Sequence, residues 1–304
     1  MKDPIQFGRY WLLERLEVGG MAEVFLAREG AGGLVAVKRL LPTLAEEREL
    51  VELFLEEARL GAALEHRGIV RVLEAGREET GWFMALEWVA GRDLAALQAR
   101  LAGRGERLAP ALAAFVARQV CGALDHAHRR LGADGRPLGL VHQDVSPRNV
   151  LCSWEGAVKL ADFGIARAGG RAPGPARVPR GKPRYLSPEQ AGGGPVGPRS
   201  DVFSLAAMLH EMLTGQRFRP AAGAPPPSRS NPAVPPGLDA AVLGALARDP
   251  EARTPSAADL AGALRPFADP EGARSLARLL GELFPEERRR DLERAAGRSP
   301  RGSG

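Results

Sequence analysis

Three polar side chains of different chemistry lie close together in the stretch LVHQDVSPRNVL, residues 140–151. They are His142, Asp144 and Asn149, and they stand between two short apolar runs that are typical of β-strands. A carboxylate is a proton acceptor, and carboxylate and amide oxygens are ligands for a hard cation such as Mg²⁺. The stretch therefore has the composition of a catalytic site.

Other candidate functional residues lie in or beside apolar runs elsewhere in the chain. Lys38 closes VAVK, and a lysine at the end of an apolar strand needs an anionic partner. Asp162 lies in KLADFGIA, where the following Gly164 gives the backbone freedom to move. Gly19 and Gly20 in LEVGGMAEVFLA mark a turn whose backbone N–H groups no side chain would cover. Each feature alone is common, so only their combination carries weight.

The first part of the chain is predicted to be rich in β-structure. YWLLERL, EVFLARE and LVAVKRL read as strands, and a glycine-rich hairpin turn at residues 30–33 joins the last two into an antiparallel sheet. IVRVLEAGRE and WFMALEWV predict two more strands. EERELVELFLEEARLGAALEH predicts one long helix, with these apolar residues along one side: Leu50, Phe54, Ala58 and Leu64.

Helical patterns dominate after Gly91. LAPALAAFVARQVCGALDHAHRRL predicts a long amphipathic helix, and DVFSLAAMLHEMLTG predicts an apolar helix that Gly215 stops. LDAAVLGALARD and SAADLAGALRPF predict two more helices. Residues 269–304 add ARSLARLLGELF and then a charged run ending in GRSPRGSG, which we expect to fray.

Composition and charge indicate a globular chain of 304 residues, with one large domain or two lobes. The net charge of +5 comes from basic residues that are mostly scattered, which favours an arginine-rich composition over nucleic-acid binding. Cys121 and Cys152 are too few and too distant for a metal motif, and His126 and His128 do not share a helix face. Without a secretory leader or a long apolar run, we expect a cytoplasmic protein without a membrane span.

Five separated motifs in the correct order resemble the protein-kinase signature set. They are LEVGGMAEVFLA, VAVK, ALEWVAGRDL, LVHQDVSPRNVL and KLADFGIA, and YLSPEQ follows them in the position of the A-P-E segment. The resemblance covers residues 7–267 and is closest to bacterial serine/threonine kinases of the eukaryotic-like, or Hanks, type. It implies an α+β, bilobal kinase-like fold, with a small β-rich N-lobe containing one long helix and a larger, mainly helical C-lobe. YLSPEQ makes a small-molecule kinase less favoured.

The resemblance also implies roles for individual residues in phosphoryl transfer from ATP. Asp144 would orient the substrate hydroxyl and accept its proton, while Asn149 and Asp162 would hold Mg²⁺. Lys38 would bind the α and β phosphates and pair with Glu57, with Glu56 as the alternative partner. His142 would organise the loop, Glu189 would pair with Arg253, and Asp201 would support the catalytic loop.

The same resemblance implies that the nucleotide is bound by two glycines, two strand residues, the Lys38–Glu57 pair and the hinge. The residues are Gly19, Gly20, Val24, Ala36, Lys38, Glu57, Glu87, Val89 and Asp93. Leu86 would lie behind the adenine, and Asp93 would hold the ribose.

Several positions depart from the family pattern. Glu17 and Ala22 replace glycines of the phosphate loop, which we expect to weaken nucleotide binding. Gln143 replaces an arginine that receives an activating phosphate in many kinases. Ser146 replaces a lysine that neutralises the γ-phosphate, and Arg148 is either the substitute cation or a solvent-facing arginine.

The loop after Gly164 carries no Ser, Thr or Tyr before Arg184, which agrees with the loss of the arginine at Gln143. We therefore expect that loop phosphorylation does not switch the protein on. Lys182 stands where many kinases have threonine. An acidic partner or substrate segment is indicated by the basic residues of this loop, Arg167, Arg171, Arg177, Arg180, Lys182 and Arg184.

These observations predict a protein kinase domain at residues 10–267, with an N-lobe at 10–87, a hinge at 87–93 and a C-lobe at 94–267. Residues 1–9 precede the domain, and residues 268–304 form a helical extension with a charged tail. Little room remains between Thr214 and Leu238 for the helix that usually helps to dock substrates. The predicted function is Mg·ATP-dependent phosphorylation of Ser or Thr in proteins during bacterial signalling. The alternative is a pseudokinase that acts as a scaffold.

Overall fold

A computed structural model describes residues 4–30, 32–132, 134–163, 184–219 and 224–297. The chain divides into two compact units. Unit 1 consists of the described residues within Met1–Glu65, Val70–Ala90 and Glu286–Gly304. Unit 2 consists of those within His66–Ile69 and Gly91–Pro285.

Unit 1 is built on an antiparallel sheet. Its strands are β1 (Ile5–Phe7), β2 (Tyr10–Val18), β3 (Ala22–Glu29), β4 (Leu34–Leu40), β5 (Val72–Glu78) and β6 (Gly81–Glu87). They are ordered β1-β2-β3-β4-β6-β5, and every adjacent pair is antiparallel. The helices of this unit are α1 (Arg48–Ala62) and α9 (Pro285–Ala295), of which Pro285 itself belongs to unit 2.

The two faces of this sheet bury different sets of side chains, as period-two alternation requires. One face buries an apolar cluster rich in aromatic rings, in which Phe83 makes edge contacts with Phe7 and Tyr10. On the other face, Phe54 and Ala58 of α1 pack against the strand residues Ala22, Leu40 and Met84. Helix α1 is therefore held on one defined side of β4.

Unit 2 is mainly helical and has one small sheet. Its helices are α2 (Leu94–Ala102), α3 (Pro110–His128), α4 (Pro188–Ala191), α5 (Pro198–Thr214), α6 (Pro236–Ala245), α7 (Ala257–Leu264) and α8 (Gly272–Leu283). Its sheet is ordered β7-β8-β9, from β7 (Gly91–Asp93), β8 (Val150–Ser153) and β9 (Val158–Leu160). Nearly every residue of α5 is buried, which makes this helix the centre of the unit.

Two glycines are required by their positions. Gly215 ends α5 with a left-handed φ of 68°, a conformation that costs a residue with a Cβ atom more than it costs glycine. Gly91 pairs with β8 so closely that an added Cβ would lie 2.0 Å from the carbonyl oxygen of Cys152. Larger residues at Gly91 would separate β7 from β8.

Most predicted elements are present within a few residues of the predicted bounds. The main additions are β1, α2, β7 and β9, which sequence reasoning did not identify, while the second apolar run of LVHQDVSPRNVL lies in β8. Leu140 and Val141 are buried but lie outside any strand, so the first apolar run of LVHQDVSPRNVL is not β-structure. Leu64 is buried just beyond the end of α1.

The expectation that the charged C-terminal run frays is wrong for its first part, which forms α9. Arg294 of α9 forms an ion pair with Glu14 of β2, and Arg28 of β3 donates to the Arg294 carbonyl oxygen at 2.7 Å. Asp291 is only 3% exposed. Contacts with the sheet of unit 1, rather than apolar periodicity, hold this helix.

No helix among the described residues is long and apolar enough to cross a membrane.

Candidate active site

Lys38 and Glu57 form an ion pair inside unit 1. Lys38 lies on β4 and Glu57 on α1, and the Lys38 Nζ atom is 2.5 Å from Glu57 Oε1. Each side chain is 14% exposed, so water screens the pair only in part. Glu56, the alternative partner, pairs with Arg59 on the surface of α1. The structure thus contains the predicted pairing of Lys38 with Glu57.

Two residues predicted to bind nucleotide share the sheet face of Lys38. Val24 is the direct cross-strand partner of Lys38, and Ala36 pairs with Leu86 of β6. Cross-strand partners project to the same side, as do residues two apart on one strand. Val24, Ala36, Lys38 and Leu86 therefore form one surface, on the side of the sheet that carries α1.

Gly19 and Gly20 lie in the turn between β2 and β3. The Gly19 amide donates to the Ala22 carbonyl oxygen at 2.8 Å and closes the turn. A Cβ atom added at Gly20 would meet no atom within 4 Å, so its surroundings are open. Glu17 is exposed on β2 just before this turn. Its carboxylate is therefore close to the backbone to which the resemblance assigns phosphate binding.

The predicted hinge residues have separate structural roles. Glu87 ends β6, where its amide donates to the Arg71 carbonyl oxygen and its carboxylate accepts from the Arg71 amide, both at 2.9 Å. Val89 is buried. Asp93 belongs to unit 2 and caps α2, because its Oδ1 atom accepts from the Ala96 amide at 2.8 Å. Sequence reasoning missed this cap, although aspartate is a favoured N-cap residue.

In unit 2, Asp144 and Asn149 face each other across one short loop. The Asn149 side-chain amide donates to the Asp144 carbonyl oxygen at 2.8 Å and to Asp144 Oδ2 at 3.0 Å. Asn149 ends a 3₁₀ turn, Pro147–Asn149, and is buried, so the loop holds its side chain in one orientation. The amide oxygen of Asn149 is then the atom that would bind a cation.

His142 organises this loop, as predicted. Its ring is buried, with Nδ1 accepting from the Asp144 amide at 3.2 Å and Nε2 lying 2.9 Å from the Ala161 carbonyl oxygen. The two bonds together assign the proton to Nε2, since Nδ1 must accept. The ring also contacts Phe163 at 4.6 Å. A histidine held in this way positions Asp144 instead of exchanging protons with substrate.

Asp201 supports the same loop from α5. Its carboxylate accepts from the amides of His142 and Gln143 and contacts His128 Nε2, each at 2.8 Å. Asp201 is fully buried, so these bonds compensate for the loss of water around the charge. Gln143 has a left-handed φ of 65°, which shows how tightly this point of the loop is constrained. The contribution of His128 was not predicted.

Asp162 lies at the end of the β8–β9 hairpin that also carries Asn149. The Ala161 amide donates to the Asn149 carbonyl oxygen at 2.8 Å, directly before Asp162. Asp162 is exposed and has a left-handed φ of 55°. The hairpin therefore brings the backbone of Asp162 and the backbone of Asn149 to one end of the small sheet.

Glu189 and Arg253 form the predicted ion pair. Their two hydrogen bonds are parallel, at 2.8 and 3.0 Å, and Arg253 is 2% exposed. Burial acts to raise the pKa of Glu189, but hydrogen bonds from Arg253 and Ser200 outweigh it and lower the pKa to about 2. This pair joins α4 to the segment before α7, so it is a structural support for the site.

Gln190 links α4 to the catalytic loop, a connection that sequence reasoning did not find. Its side-chain NH₂ donates to the Gln143 carbonyl oxygen at 3.0 Å. Its side-chain oxygen accepts from the Ser187 amide at 3.0 Å, which completes a capping box at the start of α4. The only available signal was the Ser-x-x-Gln spacing of the capping box.

Residues 10–225 match the protein kinase domain family. The chain is also 38% identical over 83% of its length to the serine/threonine-protein kinase PknB of Mycolicibacterium smegmatis. The chain belongs to the bacterial Hanks-type serine/threonine protein kinase family. A second relative of this kinase, tyrosine-protein kinase MasK of Myxococcus xanthus, is 38% identical over 93% of the chain.

The chain spans less than half the length of these curated relatives, 47% of MasK and 42% of PknB. Among solved structures, it resembles the PknI kinase domain of Mycobacterium tuberculosis, with a TM-score of 0.68 and 28% identity. That similarity covers 88% of this chain and 99% of the PknI domain. The predicted kinase fold is confirmed.

Several sequence predictions for this kinase concern residues 164–183, which lie outside the described residues. They include the predictions for Gly164, Lys182 and the basic residues Arg167, Arg171, Arg177 and Arg180. Ser146 is fully buried and Arg148 is exposed. In the described parts of residues 215–235 the only helix is a 3₁₀ turn, Pro227–Arg229, in agreement with the expected lack of room there.

Proposed function

We propose that this chain transfers the γ-phosphate of ATP to Ser or Thr hydroxyls of a protein substrate. The observation that carries the proposal is the catalytic loop, in which Asp144 is bonded to Asn149 and is positioned by His142. The buried carboxylate of Asp201 accepts a hydrogen bond from the His142 amide and holds this loop in place. Phosphoryl transfer needs a carboxylate for the acceptor hydroxyl beside an oxygen ligand for the cation, and a nucleotide-free scaffold needs neither.

Each residue acts according to its chemistry. Asp144 orients the acceptor hydroxyl and accepts its proton as the new bond to phosphorus forms. Lys38 donates to the phosphate oxygens, and Glu57 fixes the position of its ammonium group. Gly19, Gly20, Val24 and Ala36 contribute backbone and apolar surface for the nucleotide. Glu87 and Val89 supply backbone groups at the adenine, and Asp93 retains an oxygen for the ribose.

The proposed cation ligands fit Mg²⁺. Asn149 offers an amide oxygen and Asp162 a carboxylate, both hard oxygen donors of the kind that Mg²⁺ prefers. Mg²⁺ is usually bound by one or two protein oxygen ligands together with substrate phosphates and water. When bound with ATP, Mg²⁺ neutralises charge on the β and γ phosphates.

The boundaries and setting of the domain also remain proposals. We place the kinase domain at residues 10–267 and the hinge at 87–93, and we propose a cytoplasmic role in bacterial signalling. The activation loop holds no hydroxyl residue from 165 to 183, so we propose that its phosphorylation is not the switch. A loss of transfer activity when a phosphatase removes a phosphate from Tyr185 or Ser187, just after this segment, would contradict this.

The relatives carry both names, because PknB is named a serine/threonine kinase and MasK a tyrosine kinase. The choice of acceptor residue therefore needs a direct test. The test is phosphate transfer from labelled ATP with Mg²⁺ to three degenerate peptide pools, each with only Ser, only Thr or only Tyr as acceptor. Labelling of the Ser and Thr pools supports the proposal. Labelling of the Tyr pool alone contradicts it.

The second candidate function is a pseudokinase scaffold. Two observations favour it: Glu17 places an exposed carboxylate beside the phosphate turn, and buried Ser146 supplies no cation. The same assay discriminates the two functions when nucleotide binding is measured in parallel. ATP binding without transfer to any pool would favour the scaffold.

A further inference from the structure

A cleft of about 750 Å³ lies within unit 2, next to the loop that carries Asp144. Helix α2 forms one wall and the end of α5 forms another, while Pro147 and Arg148 of the catalytic loop lie at one side. Arg184 and Tyr185, from the segment before α4, complete the lining. Every described residue that lines this cleft belongs to unit 2.

Positive charge predominates in the lining of this cleft. Among the described residues, its cations are Arg107, Arg148, Arg184 and Arg217, and its anions are Glu106 and Glu211. Glu211 is already engaged, because it forms an ion pair with Arg184 at 3.6 Å and accepts from the Tyr185 hydroxyl at 3.1 Å. The other three arginines therefore face one remaining carboxylate, that of Glu106.

These three arginines differ in what holds them. Arg107 donates to two carbonyl oxygens, those of Thr214 at 3.4 Å and Ser230 at 2.9 Å, so it is positioned but not neutralised. Arg148 and Arg217 are exposed, and neither forms a hydrogen bond or ion pair with another described residue. Guanidinium groups in this state match carboxylate and phosphate oxygens in geometry and charge.

Arg148 ties the cleft to the chemistry of the loop. It lies inside the 3₁₀ turn Pro147–Asn149, directly before Asn149, which is bonded to Asp144. A substrate chain whose hydroxyl reaches Asp144 continues along this wall at about 3.3 Å per residue. The cleft is then within a few residues of the acceptor.

We propose that this cleft selects substrates with an anionic side chain near the acceptor hydroxyl, bound by Arg148 and Arg217. The inference rests on the proposed kinase function and adds the chemistry by which substrates are chosen. Apolar residues of α2 and α5, Ala95, Ala99 and Met212, line the cleft beside these arginines. A peptide with mixed side chains suits that surface better than a nucleic-acid backbone does, because its charge is local.

The test compares acceptor peptides that differ at one position, with Glu, phosphoserine or Gln within three residues of the acceptor. We expect kcat/KM for the Glu peptide to exceed that for the Gln peptide by about tenfold, the effect of one charge-assisted hydrogen bond. A preference for phosphoserine over Glu would identify a phosphorylated substrate as the source of the anion. Equal rates with Glu and Gln at every position would overturn the proposal.

Arg217→Gln should reduce the preference to less than about threefold through a higher KM for the Glu peptide, with the Gln peptide unaffected. Arg217→Lys should retain part of the preference, because it keeps the charge. Arg219→Gln is the matched control, since Arg219 is also exposed but is not among the described residues that line the cleft. If Arg217→Gln keeps the full preference for the Glu peptide over the Gln peptide, the proposed role of Arg217 in binding the anion is wrong.

Arg148→Ala separates two roles of that residue. A higher KM for the Glu peptide alone supports binding of the substrate anion by Arg148. A lower kcat with both peptides would overturn that role and indicate that Arg148 acts on the transferring phosphate.

Peptide binding without turnover distinguishes failure of this inference from failure of the proposed function. In fluorescence anisotropy with Asp144→Asn, the Glu peptide should bind more tightly than the Gln peptide, and Arg217→Gln in the same background should remove the difference. Selective binding without any transfer by the unaltered chain would reject the kinase activity and keep the anion site. If the unaltered chain transfers phosphate but the Glu and Gln peptides bind equally, the kinase activity is supported and the anion site is rejected.

Discussion

Glu189→Gln removes the charge of a buried ion pair while preserving its shape. Arg253 donates to both carboxylate oxygens and also to three backbone carbonyl oxygens, so its position does not depend on Glu189 alone. The substitution leaves the Arg253 charge buried without a counter-ion. Breaking a buried pair in this way is strongly destabilising, by roughly 3–5 kcal/mol.

A second figure for the same pair follows from the acidity of Glu189. Burial opposes ionisation, but hydrogen bonds from Arg253 and Ser200 lower the pKa from 4.5 to about 2. That difference corresponds to roughly 3 kcal/mol. Because the folded pKa is depressed, this stability is fully present above about pH 5 and is lost as the pH falls toward 2. More than half of it is lost by about pH 3.

Urea unfolding, followed by tryptophan fluorescence between pH 7 and pH 3, measures this contribution. The free energy of unfolding of Glu189→Gln should lie about 3 kcal/mol below that of the unaltered chain at pH 7, and the gap should narrow below about pH 4.5. Glu52→Gln is the control, because the Arg48–Glu52 pair is exposed and should contribute less than about 1 kcal/mol. A gap for Glu189→Gln that stays constant down to pH 3 would refute the reasoning.

Three further predictions concern other parts of the molecule. Lys38→Met should lower phosphate transfer by at least about a hundredfold, whereas Glu56→Gln should leave it nearly unchanged in the same assay. Ending the chain before Pro285 should speed amide hydrogen exchange in β2 and β3, because the contacts of α9 with them are lost, and unchanged exchange would contradict this. Cys121 and Cys152 are buried, which raises the pKa of both thiols, that of Cys152 to about 12. Neither should react with a thiol reagent until urea unfolds the chain.

The elements that were predicted well are those whose local pattern carries the information. Strands β2, β3 and β4 alternate around glycine turns, and α5 ends at Gly215, where local chemistry and the fold agree. Helix α9 was missed because it has few apolar residues and depends on Glu14 and Arg28, which are distant in sequence. Tertiary partners of this kind are invisible to periodicity.

The same distinction applies to the site. Lys38 and Glu57 could be paired from motif spacing, because one strand and one helix position fix both. The link from Gln190 to the Gln143 carbonyl oxygen could not, since it depends on where α4 lies relative to the loop. The cleft was also unpredictable, as Arg148 and Arg217 are brought together only by the packing of unit 2.

Phosphate incorporation by the purified chain and by Asp144→Asn, with labelled ATP and Mg²⁺, tests the central claim most directly. Asn keeps the size of the side chain but cannot accept the hydroxyl proton. We predict labelling of a protein or peptide acceptor by the unaltered chain and none above background by Asp144→Asn, with equal ATP binding by both. ATP binding without labelling by either protein, or equal labelling by both, would contradict the assignment of Asp144 as the catalytic base.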